Sequence, residues 1–143
     1  MQKKPTRMAK ERILIIDDEQ DFVETIGEWL WARGFDIVRA FNGESGMEKA
    51  HSESPDLILL DIAMPGMSGY DVCRTLRLEE KFKDIPVVML TAKFQPSDVK
   101  FGQEMGADLY LTKPPELEPL LRDIKALLRL KKMKNSRKSR ATN

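Results

Sequence analysis

Five short apolar runs recur along the 143-residue chain: "RILII" (12–16), "FDIVRA" (35–40), "DLILL" (56–60), "PVVML" (86–90) and "DLYLT" (108–112). They are mostly unalternating, which suits strands buried on both faces. Between them the spacing is helical. Phe22, Ile26 and Trp29/Leu30 share one face of a first helix that stops at Gly34, with Asp21, Glu24 and Glu28 off that face. A second helix covers 43–53. A third starts after Ser68-Gly69 and carries Val72, Cys73 and Leu76. A fourth spans 96–105 with Val99 and Met105. The last keeps i, i+3, i+4 spacing through Leu117, Leu120, Leu121, Ile124, Leu127 and Leu128, with Pro119 in its first turn, where the missing N–H costs little. Strand and helix alternating five times predict an α/β fold, a parallel sheet with helices on both faces.

A hydrophobic content of 41% over this length suits a single domain with an ordinary core. The expected organisation is a short N-terminal extension (1–11), a folded domain (12–130) and a basic, unstructured tail (131–143). The net charge of +1 hides an asymmetry: seven basic residues and no acidic ones lie from Arg129 onward. That leaves 17 of the 24 basic residues against all 23 acidic ones, a net of −6 for the body. An acidic body with a short basic tail is not a nucleic-acid-binding domain, so no direct nucleic-acid contact is expected. The charged start, "MQKKPTRMAKER", lacks the apolar core of a signal peptide, and no apolar run approaches the roughly 18 residues that span a bilayer. The single cysteine, Cys73, permits no internal disulfide, which points to a reducing, cytoplasmic setting. One Cys and one His also exclude zinc clusters.

Open parallel sheets bind ligands beyond the carboxyl ends of their strands. Asp17-Asp18 follow the first run, Asp61 the third, Thr91 the fourth and Lys113 the fifth. Three carboxylates gathered at one edge repel, by about 4 kcal/mol per pair at ~4 Å and an effective dielectric of 20. Lys113 offsets one charge. A hard divalent cation offsets two, and Mg²⁺ suits a site of few carboxylates and several waters. Carboxylates, a cation, an ammonium and a hydroxyl are the groups that phosphoryl transfer requires.

"ILIIDDE", "LILLDIAMPGMSG", "VVMLTA" and "DLYLTKP" resemble the receiver domain of bacterial two-component response regulators, chemotaxis regulators included, from Arg12 to Leu130. The resemblance implies a flavodoxin-like, doubly wound five-stranded sheet of order 2-1-3-4-5. It implies that Asp61 is the phosphoacceptor, a nucleophile toward phosphorus, and that the Pro65-Gly66 and Gly69 turn carries the backbone away without covering it. Asp18 matches the direct Mg²⁺ ligand, Asp17 its partner, and the carbonyl of Ala63 the backbone ligand. Thr91 matches the hydroxyl that bonds the phosphoryl group. Lys113 matches the ammonium that pairs Asp61, and the Lys113–Pro114 bond is cis in the family. Tyr110 matches an aromatic that moves with Thr91; packing alone is its other reading. The donor would be a histidine kinase or phosphotransfer protein. The readout would be a partner protein or a second copy docked on the face of the fourth helix, fifth strand and fifth helix.

Other residues read more plainly. His51, the only histidine, reads as a solvated helix-end cation, so the donor phosphohistidine lies on another protein. Cys73 reads as an inert buried thiol, and Trp31 lies opposite the apolar stripe of its helix. The resemblance implies that the positions of Ala63 and Lys93 flank the phosphoryl group; alanine cannot orient water, which predicts slow self-dephosphorylation. Pro115 stands where the family usually has an aromatic. Competing readings are a receiver fragment of a longer chain with a DNA-binding, enzymatic or kinase output, a constitutive scaffold, and a haloacid-dehalogenase-type phosphatase. The last needs a second Asp two positions after its first, where this chain has Asp17, Asp18 and Glu19. No G-x-x-x-x-G-K-[ST] loop supports a nucleotide hydrolase. Flavodoxin-like cofactor binding shares the topology but not the acids.

Overall fold

The computed structural model describes residues 10–92 and 95–141. Most of the N-terminal extension and Lys93 lie outside the described residues. The chain runs β1 (Arg12–Ile16), α1 (Gln20–Trp31), β2 (Asp36–Ala40), α2 (Gly43–Glu53), β3 (Leu57–Asp61), α3 (Gly69–Arg77), a single 3₁₀ turn (Glu80–Phe82), β4 (Val87–Thr91), α4 (Pro96–Glu104), β5 (Leu109–Thr112) and α5 (Leu117–Ala141). All strand pairs are parallel, in the order β2-β1-β3-β4-β5.

The continuous apolar runs divide by the two-residue period of a strand. Leu14, Ile16, Ile58, Leu60, Val87 and Met89 pack with Ala50, Val72, Cys73, Leu76 and Phe82 on one face. Ile13, Ile15, Leu57, Leu59, Val88 and Leu90 pack on the other face with Val23, Ile26 and Leu30 of α1 and Leu120, Ile124 and Leu128 of α5. Each fully buried Leu or Ile stabilises the fold by about 1.5–3 kcal/mol. The strands therefore hold the two helical layers together.

Three details differ from the sequence reading. In α1 the buried positions are Val23, Ile26, Gly27 and Leu30, while Phe22 and Trp29 are half-buried. In α4 only Gly102 is buried; Val99 and Met105 are partly exposed. The tail expected to be unstructured continues α5 to Ala141. Residues 131–141 contain no Gly or Pro and are rich in Lys and Arg, good helix formers, and Lys132 pairs with Glu11 at 3.3 Å.

Arg77, at the end of α3, uses its whole guanidinium. It donates to the carbonyls of Gly106, Phe82 and Ile85 and to the Asp108 carboxylate, at 2.7–3.1 Å. Asp108 also accepts the Val87 N–H at 2.8 Å. Cys73 is fully buried, and burial pushes its thiol up to about 11, so it is inert. His51 bridges to Glu79 at 2.7 Å. Trp31 is 60% exposed, with Lys10 Nζ 5.5 Å from its ring centre.

Candidate functional site

The register brings the strand ends to one edge. Ile16 lies beside Leu60, Asp61 beside Leu90, and Thr91 beside Thr112, so Asp17, Asp61, Thr91 and Lys113 converge. Asp17 follows β1 directly and its N–H donates to the Ala40 carbonyl at 3.0 Å. Its carboxylate accepts the Glu19 N–H at 2.9 Å, a turn that leads into α1. The N-cap position is Glu19, without a side-chain cap bond, so helix capping does not account for the Asp17-Asp18 pair.

Carboxylate oxygens of Asp17, Asp18 and Asp61 lie within 4.8 Å of one another; Asp17 and Asp61 are buried and Asp18 is exposed. Lys113 Nζ donates to Asp17 at 2.8 Å, contacts Glu19 closely and stands 4.0 Å from Asp61. Burial alone would depress Lys113, but its bonds to Asp17 and Glu19 hold its pKa above the ordinary value. Asp17 is raised, by burial first, although Lys113 pulls the other way. Asp61 is raised from 3.8 to about 6, by burial and then by the Asp17 charge; Lys113 and the Ala63 N–H offset only part of this. The cluster thus holds more negative charge than Lys113 neutralises. A hard divalent cation on oxygen ligands meets that deficit, and the donor set fits Mg²⁺.

The backbone beyond Asp61 explains how its carboxylate stays at the edge. Gly66 turns with φ +76, and Gly69 returns against the strand end. A Cβ at Gly69 would lie 2.2 Å from the Asp61 carbonyl oxygen and 2.8 Å from Ile62 Cα, so only glycine fits. The Gly69 N–H donates to the Ile62 carbonyl at 3.0 Å. Ser68 and Asp71 form a reciprocal capping box that starts α3 there.

Thr91 is buried at the end of β4, and its carbonyl accepts the Lys113 N–H at 2.9 Å. The Lys113–Pro114 bond is cis. Tyr110 is 7% exposed on β5. The residue that sequence reasoning missed is Glu19, whose carboxylate shares Lys113 with Asp17 and Asp61. Its signal was the third acid of "ILIIDDE". Phe22 was read only as packing, yet its ring centre lies 4.6 Å from Lys113 Nζ.

A family model of the response regulator receiver domain matches residues 13–125. The chain is 44% identical over 118 residues to the DNA-binding dual master transcriptional regulator RpaA of Synechocystis, covering 82% of this chain and 49% of that protein. It is 40% identical over 119 residues to the alkaline phosphatase synthesis regulator PhoP of Bacillus subtilis, covering 83% and 49%. The chain thus spans about half the length of the curated relatives it matches. Among solved structures, the CheY-like receiver domain protein of Methanospirillum hungatei superposes with a TM-score of 0.82 at 26% identity, over 88% of this chain and 99% of that one. The receiver domain of Klebsiella pneumoniae RstA superposes with a TM-score of 0.78 at 31% identity, over 83% and 99%.

Proposed function

The chain belongs to the response regulator receiver domain family, a signalling component of two-component systems, and from that premise we propose that Asp61 is its phosphoacceptor. The observation that carries this is the gathering of Asp17, Asp18 and Asp61 within 4.8 Å beside Lys113. An Asp61 carboxylate oxygen attacks the phosphorus of a partner's phosphohistidine. The new bond is an acyl O–P bond; the N–P bond breaks with its electron pair returning to nitrogen, and the imidazole, already protonated at its other nitrogen, leaves neutral. Asp17, Asp18, Asp61 and the Ala63 carbonyl would hold Mg²⁺, which neutralises charge on the phosphoryl oxygens when bound. Lys113 pairs with Asp61 before transfer and with a phosphoryl oxygen after it. The Thr91 hydroxyl donates to another.

Phosphorylation adds up to about two negative charges and three strong acceptors. Thr91 and Tyr110 follow that change and alter the face of α4, β5 and α5 for a partner or a second copy, in the cytoplasm. Among the described residues no helix is long and apolar enough to cross a membrane. Ala63 offers no acid or amide to orient attacking water, so the phosphoryl group is long-lived. A half-life of seconds would refute that point. The half-length match to full regulators favours a second reading, in which this receiver governs an output domain of a longer chain.

The test is intact mass after incubation with Mg²⁺ and acetyl phosphate. A gain of one phosphoryl mass that is lost in Asp61→Asn and on chelation supports the proposal; no gain where another receiver is labelled sinks it.

A further inference from the structure

Tyr70 takes no part in the chemistry above, yet it touches the elements that would answer to it. It follows Gly69, whose backbone is seated on the Asp61 carbonyl with no room for a side chain, and it lies in the α3 turn fixed by the Ser68–Asp71 capping box. Its ring meets the Phe101 ring edge-on, at 4.6 Å and 84°. Its hydroxyl reaches the Asp98 carbonyl at 3.5 Å and hydrogen-bonds the Tyr110 phenol. Tyr110 in turn lies over Gly102: a Cβ there would be 2.8 Å from the ring and 3.3 Å from Met89 Sδ. Gly102 is the only buried residue of α4; the helix otherwise meets the fold through half-buried Val99, packed against the core, and through the rings of Tyr70 and Tyr110.

We infer that Tyr70 is a positioning residue that couples the Asp61 loop to α4 and to Tyr110. The inference rests on the reading of Asp61 as phosphoacceptor. A shift in residues 62–69 must carry Gly69 with it, because Gly69 cannot slide past the strand end. Tyr70 moves as the next residue of the same turn. One end of its side chain is then anchored to the loop, and the other grips both α4 and β5. A leucine would fill the space but could not bridge to a carbonyl and a phenol at once. Tyr70→Leu removes ring and hydroxyl together, and Tyr70→Phe the hydroxyl alone.

Two readouts separate coupling from packing. The chain has two tyrosines, so 3-fluorotyrosine gives two ¹⁹F resonances, and either Tyr70 variant assigns the one from Tyr110. In the unphosphorylated chain, Tyr70→Leu should raise amide exchange in 96–104 about tenfold while 20–31 stays unchanged, with Tyr70→Phe in between. With Mg²⁺ and acetyl phosphate, the wild-type Tyr110 resonance should shift as the phosphoryl mass appears. In Tyr70→Leu the mass should still appear while most of that shift is lost. Unchanged α4 exchange in Tyr70→Leu, or a full Tyr110 shift in the loaded variant, overturns the inference. A wild type that never gains the mass overturns the phosphoacceptor reading and the coupling built on it, and the mass distinguishes that failure from one of Tyr70 alone.

Discussion

Helices α1 and α4 cover the same sheet from opposite faces and are held in different ways. Helix α1 sends Val23, Ile26 and Leu30 into the core, each at most 2% exposed, and they meet strands and α5 together. Helix α4 buries Gly102 alone, and its Phe101 is 44% exposed. A helix anchored by several apolar side chains opens only with the whole fold. One anchored by a half-buried valine and a few ring contacts can shift at smaller cost. A switch needs two states within a few kcal/mol, and under the proposed function the lightly anchored α4 meets that need more readily than α1.

The contrast is most open to attack through truncation. Leu30→Ala should cost about 2–5 kcal/mol in urea unfolding, and Val99→Ala in α4 less than about 1 kcal/mol. Equal losses would break the comparison. The next effect lies at the site, which α1 adjoins through Glu19 and Phe22. Burial, and then the Asp17 charge, push the Asp61 carboxyl of the folded chain up to about 6, from an ordinary value of 3.8. The folded chain therefore binds more protons than the unfolded one between those values, and stability falls as pH rises through that window. Asp61→Asn in EDTA should thus stabilise by up to about 3 kcal/mol at neutral pH. The gain should vanish below the ordinary carboxylate value; a gain independent of pH would refute the cause.

Gly102→Ala sharpens the α4 side. Helix propensity alone favours alanine by about 1 kcal/mol, but the methyl would meet Tyr110 at 2.8 Å. The expected result is a net change within about 1 kcal/mol, with Tyr110 displaced to solvent and its ¹⁹F line shifted. The full propensity gain with Tyr110 unmoved would show a looser slot. The smallest effect concerns His51, on the α4 side of the sheet. Its bond to Glu79, and then one to the Met47 carbonyl, raise its pKa above 6.5. That contribution is present below 6.5 and lost as pH rises past the folded value. NMR titration should show the raised pKa, and Glu79→Gln should lower it.

The strands were legible to within a residue because buried parallel strands are uninterrupted apolar runs. The acids, Thr91 and Lys113 were legible because each stands where such a run stops. Tyr70 and Gly102 were not, since a glycine gives no hydropathy signal and Tyr70 acts through residues 28 to 40 positions away. Val23 was passed over beside the larger Phe22. The basic end was read by charge as unstructured, although its residues are good helix formers without a breaker.

Arg77 gives this contrast a direction. Its five donors close on Phe82, Ile85, Gly106 and Asp108, so the chain just past the end of α4 is clamped to α3 and to the start of β4. Lysine, with three donors on one atom, could not hold that set. With its C-terminal end held there, a displacement of α4 is expected to be smallest beside Gly106 and largest toward Pro96. Arg77 thus ties α4 down at the edge of the sheet where β4 and β5 begin, opposite the edge that carries the acids.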